Sequence, residues 1–216
     1  MGRKKSYDRA DLVESAMDLF HAHGFAGTST QMLVERLGVN RNSMYAEFGS
    51  KQALFDAVLR RYEQQLMNDT FGALRAPDAD LDSIAALFER FGGDAAGPAA
   101  GLGCLLCNTA VELAGDDPSG EGFVQRYFES VQAAFQHALA NARRAGHLSA
   151  GVVAEDQARF LTAVALGIFV LVRARAAHIV VQGAGRVATR HLDTLRAQSR
   201  LSAGPATDES LPRPPR

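Results

Sequence analysis

The apolar residues of this chain recur at helical spacing. From Asp8 onward, Leu12, Ala16, Leu19 and Phe20 fall at i, i+4, i+7 and i+8 and predict an amphipathic helix, with Gly24 suited to the position after its end. Thr28 followed by Gln31 fits a capping box, with Ser29 the competing cap. Either choice starts a helix near residue 29 whose apolar positions are Met32, Leu33, Val34 and Leu37. Gly38 supplies the left-handed residue of a short turn, Val39 packs inward and Asn40 can cap a third helix. That helix, Arg41 to Phe48, turns Met44 and Phe48 to the core and leaves Arg41, Tyr45, Asn42 and Ala46 on exposed rows. Eight residues make a marginal helix alone, so its neighbours must hold it. A fourth helix is predicted from Lys51 to Leu74, with Leu54, Phe55, Val58, Tyr62, Leu66 and Phe71 on its apolar side.

Ala76 to Asp82 breaks the pattern, and a helix over 81–91 comes next. Gly92 to Gly103 reads as a flexible connection; it lacks the Lys-Ser/Thr ending of a phosphate loop. A long helix is predicted from Gly122 to Ala145, carrying Phe123, Tyr127, Phe128, Val131, Phe135 and Ala138. The helix expected over 154–181 is apolar nearly all round, with Phe160, Val164, Ile168 and Leu171 on one row and Phe169 on another. It therefore requires burial on two sides, more than one chain of this size supplies. A last helix over 186–199 presents Val187, His191, Thr194 and Leu195, and the Pro-rich tail is expected to be disordered. The pattern predicts an all-α chain.

Composition changes this picture little. With 47% hydrophobic and 22% charged residues the chain is an ordinary globular protein. Its most apolar run, Phe160 to Val172, is closed by Arg173 and Arg175 and falls short of the roughly 20 residues of a bilayer crossing. No N-terminal stretch reads as a signal peptide, so a cytoplasmic protein without membrane association is expected. The net charge is −1 overall, but through Arg61 nine Lys/Arg face seven Asp/Glu, while the remainder carries fourteen against seventeen. That asymmetry points any nucleic-acid contact toward the N-terminus.

The exposed row at 41–45 has the chemistry for it. Arg forks onto guanine and Asn onto adenine, each good pair contributing roughly 1–3 kcal/mol of discrimination, so Arg41 and Asn42 are the expected base readers. Ser50 looks like a cap, which puts Lys51 in a helix first turn, a phosphate site. Thr28, Ser43 and Tyr45 offer hydroxyls for the same positioning role. Arg3, Lys4 and Lys5 form either a solvated terminus or an arm tracking phosphates. Glu47 would repel phosphate unless it reads a cytosine amino group or turns toward Arg41 or Arg36.

Cys104 and Cys107, at i and i+3, admit three readings: buried small hydrophobes, a redox pair or a metal site. No second C-x-x-C or nearby His completes a metal set, so neither metal nor cofactor is expected. Asn108 and Glu112 point either at a ligand or into internal hydrogen bonds. Phe71, Phe88, Phe123, Phe128, Phe135, Phe160 and Phe169 are more aromatics than a small core needs, and predict a pocket for a small, mostly apolar effector. Cys104 and Cys107 are candidate lining for it. Their alternative is simple core. No Ser/His/Asp, paired-carboxylate or metal-ligand spacing supports a helical enzyme.

The order GFAGTST, a helix ending LGVN, then SMYAEFGSKQALFDAVL resembles the N-terminal domain of the tetracycline-repressor (TetR) family over roughly residues 8–60. Gly24, Phe25, Thr28, Gly38, Val39, Tyr45, Phe48, Lys51, Leu54 and Phe55 carry the likeness, and GCLL-x-N resembles a segment of one branch. The resemblance implies a helix-turn-helix domain over 1–52, an effector-binding and dimerisation domain over 53–201 and a tail over 202–216. It implies a major-groove helix at Arg41 to Phe48, phosphate contacts at Thr28, Tyr45 and Lys51, and a homodimer through the helices at about 154–181 and 186–199. The fourth helix would transmit ligand binding to double-stranded operator DNA. Ala46 and Glu47 depart from the neutral or basic residues that the family often has there.

Overall fold

The computed structural model describes residues 7–94, 101–113 and 118–197, and among them nine α-helices and no β-strand. The basic segment with Arg3, Lys4 and Lys5, and the tail, lie outside the described residues.

Three helices build the N-terminal bundle: α1 (Arg9–Gly27), α2 (Thr30–Leu37) and α3 (Arg41–Phe48). Asp8, Ser29 and Asn40 cap them, each side chain accepting a backbone N–H of the first turn. Gly38 takes φ 64° between α2 and α3, the left-handed turn that the sequence predicts. Ser29, rather than Thr28, is the α2 cap, because Thr28 is fully buried and its hydroxyl donates to the Gly24 carbonyl at 2.6 Å. Gly24 breaks α1 as expected, at φ 72° and ψ −178°, but the chain resumes one further helical turn through Gly27. Phe20, Phe25 and Phe55 close the bundle on α4 (Lys51–Asp69), with ring centroids 4.8 to 6.3 Å apart.

The other helices are α5 (Leu81–Asp94), α6 (Leu105–Glu112), α7 (Pro118–Arg144), α8 (Ala154–Arg173) and α9 (His178–Leu195). The largest departures from the predicted boundaries are three. α4 stops at Asp69, where the N–H groups of Thr70 and Phe71 both return to the Leu66 carbonyl, and a 3-10 turn over Gly72–Arg75 succeeds it. The helix expected over 154–181 ends at Arg173. Arg175 sits at φ 53°, its N–H bonds Val172 O and the Ala176 N–H bonds Leu171 O, a Schellman stop with arginine where glycine is usual.

α9 accordingly begins at His178, ahead of Gly183 and Gly185 and of the start that the sequence predicts at residue 186. A Cβ at Gly185 would lie 2.8 Å from the Phe88 carbonyl oxygen, so glycine here lets α9 lie directly on α5. Among the described residues no helix is long and apolar enough to cross a membrane.

Candidate nucleic-acid interface and effector cavity

α3 presents its N-terminal end outward. Arg41 and Asn42 are exposed, while Met44 and Phe48, on the opposite face, are buried. The Arg41 guanidinium lies 5.6 Å from the Tyr45 ring centroid. The Tyr45 hydroxyl sits 3.3 Å from Thr30 Oγ1, tying α3 to α2. That hydrogen bond, and then Arg41, hold the Tyr45 phenol below its ordinary pKa. Ser43 is half-buried on the same short helix.

Two expected phosphate holders are differently employed. The Thr28 hydroxyl points inward, so its side chain belongs to the turn and not to the outer face. Lys51 Nζ donates to Phe25 O at 2.8 Å and Thr28 O at 2.9 Å, and stands 4.1 Å from the Phe25 ring centroid. A lysine in a helix first turn is thus balanced by the carbonyls that end α1. The Glu47 carboxylate lies 3.7 Å from Arg9 Nε of α1, and Arg36 pairs with Asp18 at 2.6 Å.

A second site lies where this bundle meets the larger one. His21 of α1, Tyr62 and Leu66 of α4, Arg90 and Phe91 of α5, and Ile168, Phe169 and Val172 of α8 enclose a mostly apolar cavity of about 230 Å³, with Thr70 and Gly103 completing its wall. His21 Nε2 is 3.0 Å from Gly103 O, and its ring meets Tyr62 edge-on. Burial, reinforced by Arg173, lowers the His21 pKa despite the bond to Gly103, so the ring is neutral at pH 7. Arg90 donates to Asp69 O and Thr70 O.

Of the seven phenylalanines predicted to line a pocket, Phe169 does line this cavity. Phe71, Phe88 and Phe135 are fully buried and interlock at centroid distances of 6.0 to 6.3 Å with one another and Phe91, as core. Phe88 also borders a cleft with Gln182 and Arg186 of α9. Phe123 is buried under the guanidinium groups of Arg60 and Arg126, and Phe128 packs beside Tyr127. Phe160 is 44% exposed on the outer face of α8, against the His191 ring. Periodicity marks all seven as non-polar faces but does not say which internal space each borders. Sequence reasoning does not single out His21, Arg90 or Phe91, and it marks Tyr62 only as part of the apolar row of α4.

Cys104 is the N-cap residue of α6, and Cys107 lies in its first turn; both are buried free thiols. Cys104 Sγ lies 3.7 Å from the Tyr127 hydroxyl. Burial opposes ionisation of Cys104, but the Cys107 thiol, the backbone N–H groups of Cys107 and Leu106 and the Tyr127 hydroxyl converge on it and bring its pKa below the ordinary thiol value. Cys107, hydrogen-bonded to that sulfur and buried, is pushed up. Asn108 donates to Leu102 O at 2.9 Å, so it makes the internal hydrogen bond that is the alternative to ligand contact. Glu112 accepts from the N–H groups of Phe25 and Ala26 at 3.0 and 2.7 Å. Cys107, Asn108 and Glu112 border an open cleft against α1 and α8. Among the described residues no cluster of three or more His, Cys, Asp or Glu could hold a metal.

Residues 12–58 match the model of the bacterial regulatory proteins of the tetR family, and residues 81–187 that of the tetracyclin repressor-like C-terminal domain. An uncharacterized HTH-type transcriptional regulator of Bacillus subtilis, YezE, is 30% identical over 149 residues, covering 69% of this chain and 77% of that protein. The chain belongs to the TetR family. Its relatives include the HTH-type transcriptional repressor ComR of Escherichia coli, 33% identical over 53% of this chain and 55% of that one. The fold matches, with a TM-score of 0.75 and 24% identity over 87% of this chain and 98% of that one, a cysteine mutant of the TetR regulator CifR complexed with double-strand operator DNA. This TetR-family chain is a DNA-binding transcriptional regulator: α2 and α3 are its helix-turn-helix, and α5 to α9 its helical C-terminal domain.

Proposed function

We propose that the chain is a homodimeric repressor of a palindromic operator, released by a compact, mostly apolar effector bound in the cavity between α1, α4, α5 and α8. One observation carries this reading: His21, a residue of the DNA-reading bundle, is itself a wall of that cavity. A ligand there touches the bundle and the C-terminal helices at once, so unequal affinity for two arrangements shifts the bundle directly. Arg41 and Asn42 read bases. Ser43, Tyr45 and the remaining donor of Lys51 hold phosphate. The basic segment with Lys4 and Lys5 adds backbone contacts.

Dimerisation is supported by α8 and α9, where Phe160, Val170, Ile179, Val180 and Val187 are 44 to 63% exposed. So much apolar surface on two neighbouring helices suits a two-fold interface, and two-fold symmetry makes the operator an inverted repeat. Tyr62→Trp and Phe169→Trp fill the cavity and test the reading: both should retain operator binding while losing release by hydrophobic compounds that release the wild type. Unaltered release would refute it.

A second reading is favoured by Cys104 at the α6 N-cap facing Cys107. Hydrogen peroxide would oxidise the two thiols to a disulfide and be reduced to two waters. Replacing both cysteines by Ser abolishes an oxidant response of DNA binding if this reading holds, and leaves it intact if it does not.

A further inference from the structure

The break in α1 leaves backbone groups exposed on both sides of Gly24, and the C-terminal domain answers each with the opposite charge. Before the break, His21 O and Ala22 O accept from Arg173 of α8 at 3.3 and 3.5 Å. After it, the N–H groups of Phe25 and Ala26 donate to the Glu112 carboxylate of α6 at 3.0 and 2.7 Å. Cations suit carbonyl ends and carboxylates suit N–H ends of helical segments, so the pair matches the broken helix in sign as well as in geometry. The carboxylate occupies the space that a side chain at position 24 would take: a Cβ there would lie 2.5 Å from Glu112 Oε2. Gly24 therefore serves both the turn and the close approach of this carboxylate.

We propose that Glu112, with Arg173 across the break, is the positioning residue that sets the angle of the DNA-reading bundle on the C-terminal domain. The connection to the cavity is short. Gly103, which leads into α6, sits so tightly on α8 that a Cβ would lie 2.7 Å from Phe169 O and 2.8 Å from the Arg173 Cβ. Phe169 and Gly103 line the cavity, Arg173 grips α1 directly and α6 carries Glu112 at its other end. Displacing Phe169 thus moves both jaws of the clamp. The same lever joins the thiol pair at the start of α6 to the head. The inference rests on the proposed effector-controlled repressor and names the contact through which control reaches the DNA.

The test compares wild type with Glu112→Ala and Glu112→Gln, in full-length protein without effector. Hydrogen exchange is read by mass spectrometry over residues 21–30, and affinity is measured for fragments that the wild type selects from random DNA. Glu112→Ala should speed exchange over 21–30 about tenfold or more while leaving α7 unchanged. It should weaken binding roughly 5- to 50-fold and broaden the tolerated half-site spacing. Glu112→Gln, which keeps one acceptor oxygen, should fall between. Unchanged exchange, or faster exchange with wild-type affinity and spacing, would overturn the proposal. A wild type that selects no DNA would overturn the repressor reading and this one together, whereas selection by wild type with an indifferent Glu112→Ala overturns the clamp alone.

Discussion

Lys51 Nζ is held 2.8 Å from the carbonyl oxygen of Phe25 and 4.1 Å from the centroid of the same residue's ring. A second bond to Thr28 O leaves one of its three ammonium donors for DNA. Lys51→Ala therefore acts twice. It should lower stability by about 1–3 kcal/mol through lost hydrogen bonds and cation–π contact, seen as a drop in melting temperature. It should also weaken all DNA alike and reduce the slope of log affinity against log salt by about one. A stability loss with the slope unchanged would make Lys51 purely a staple.

Arg41 and Asn42 should behave differently. Neither is buried, so substitution by Ala leaves the melting temperature near that of the wild type. Asn42→Ala should cost roughly 1–3 kcal/mol at one base pair and relax preference there, read from the sequences each variant selects. An undiminished preference at every position would remove Asn42 from the readers.

His21 supplies a pH dependence. Its folded pKa lies below the ordinary 6.5 because of burial, so between those two values the unfolded chain binds more protons and stability rises with pH. The contribution of a neutral His21 is complete above pH 6.5 and is lost as the pH falls toward the folded pKa. Melting temperatures between pH 7.5 and 5 should fall less for His21→Gln than for wild type; parallel curves would refute the assignment.

The α5–α9 contact makes a prediction independent of DNA. Gly185→Ala places a methyl 2.8 Å from Phe88 O and should cost about 1–3 kcal/mol, whereas Gly183→Ala meets only the far end of Arg186, at 3.9 Å. That second substitution should be neutral or stabilise by up to about 1 kcal/mol. Equal thermal shifts for the two would contradict the packing.

Local chemistry explains which parts were legible in the sequence. Gly38, Asn40 and Ser50 act within a few residues of themselves, so the turn, both caps and the span of α3 could be read directly. Arg175 in the left-handed region could not, because an Ala- and Arg-rich stretch looks helical and its stop depends on backbone bonds alone. Glu112 and its amide partners lie more than 80 positions apart, and no periodicity connects them. Which phenylalanines border the cavity was not legible for a related reason: a helical stripe marks a buried face, while the division of that face between core and cavity depends on how four helices meet.

The central claim is that Arg41 and Asn42 on paired α3 helices read a two-fold operator. Selecting random duplex DNA with the purified full-length protein and sequencing the bound fraction tests it most directly. An inverted repeat should emerge, with half-site centres about one helical turn or a multiple apart, and Arg41→Ala should lose it. No enriched sequence, or one asymmetric site retained by Arg41→Ala, would contradict it.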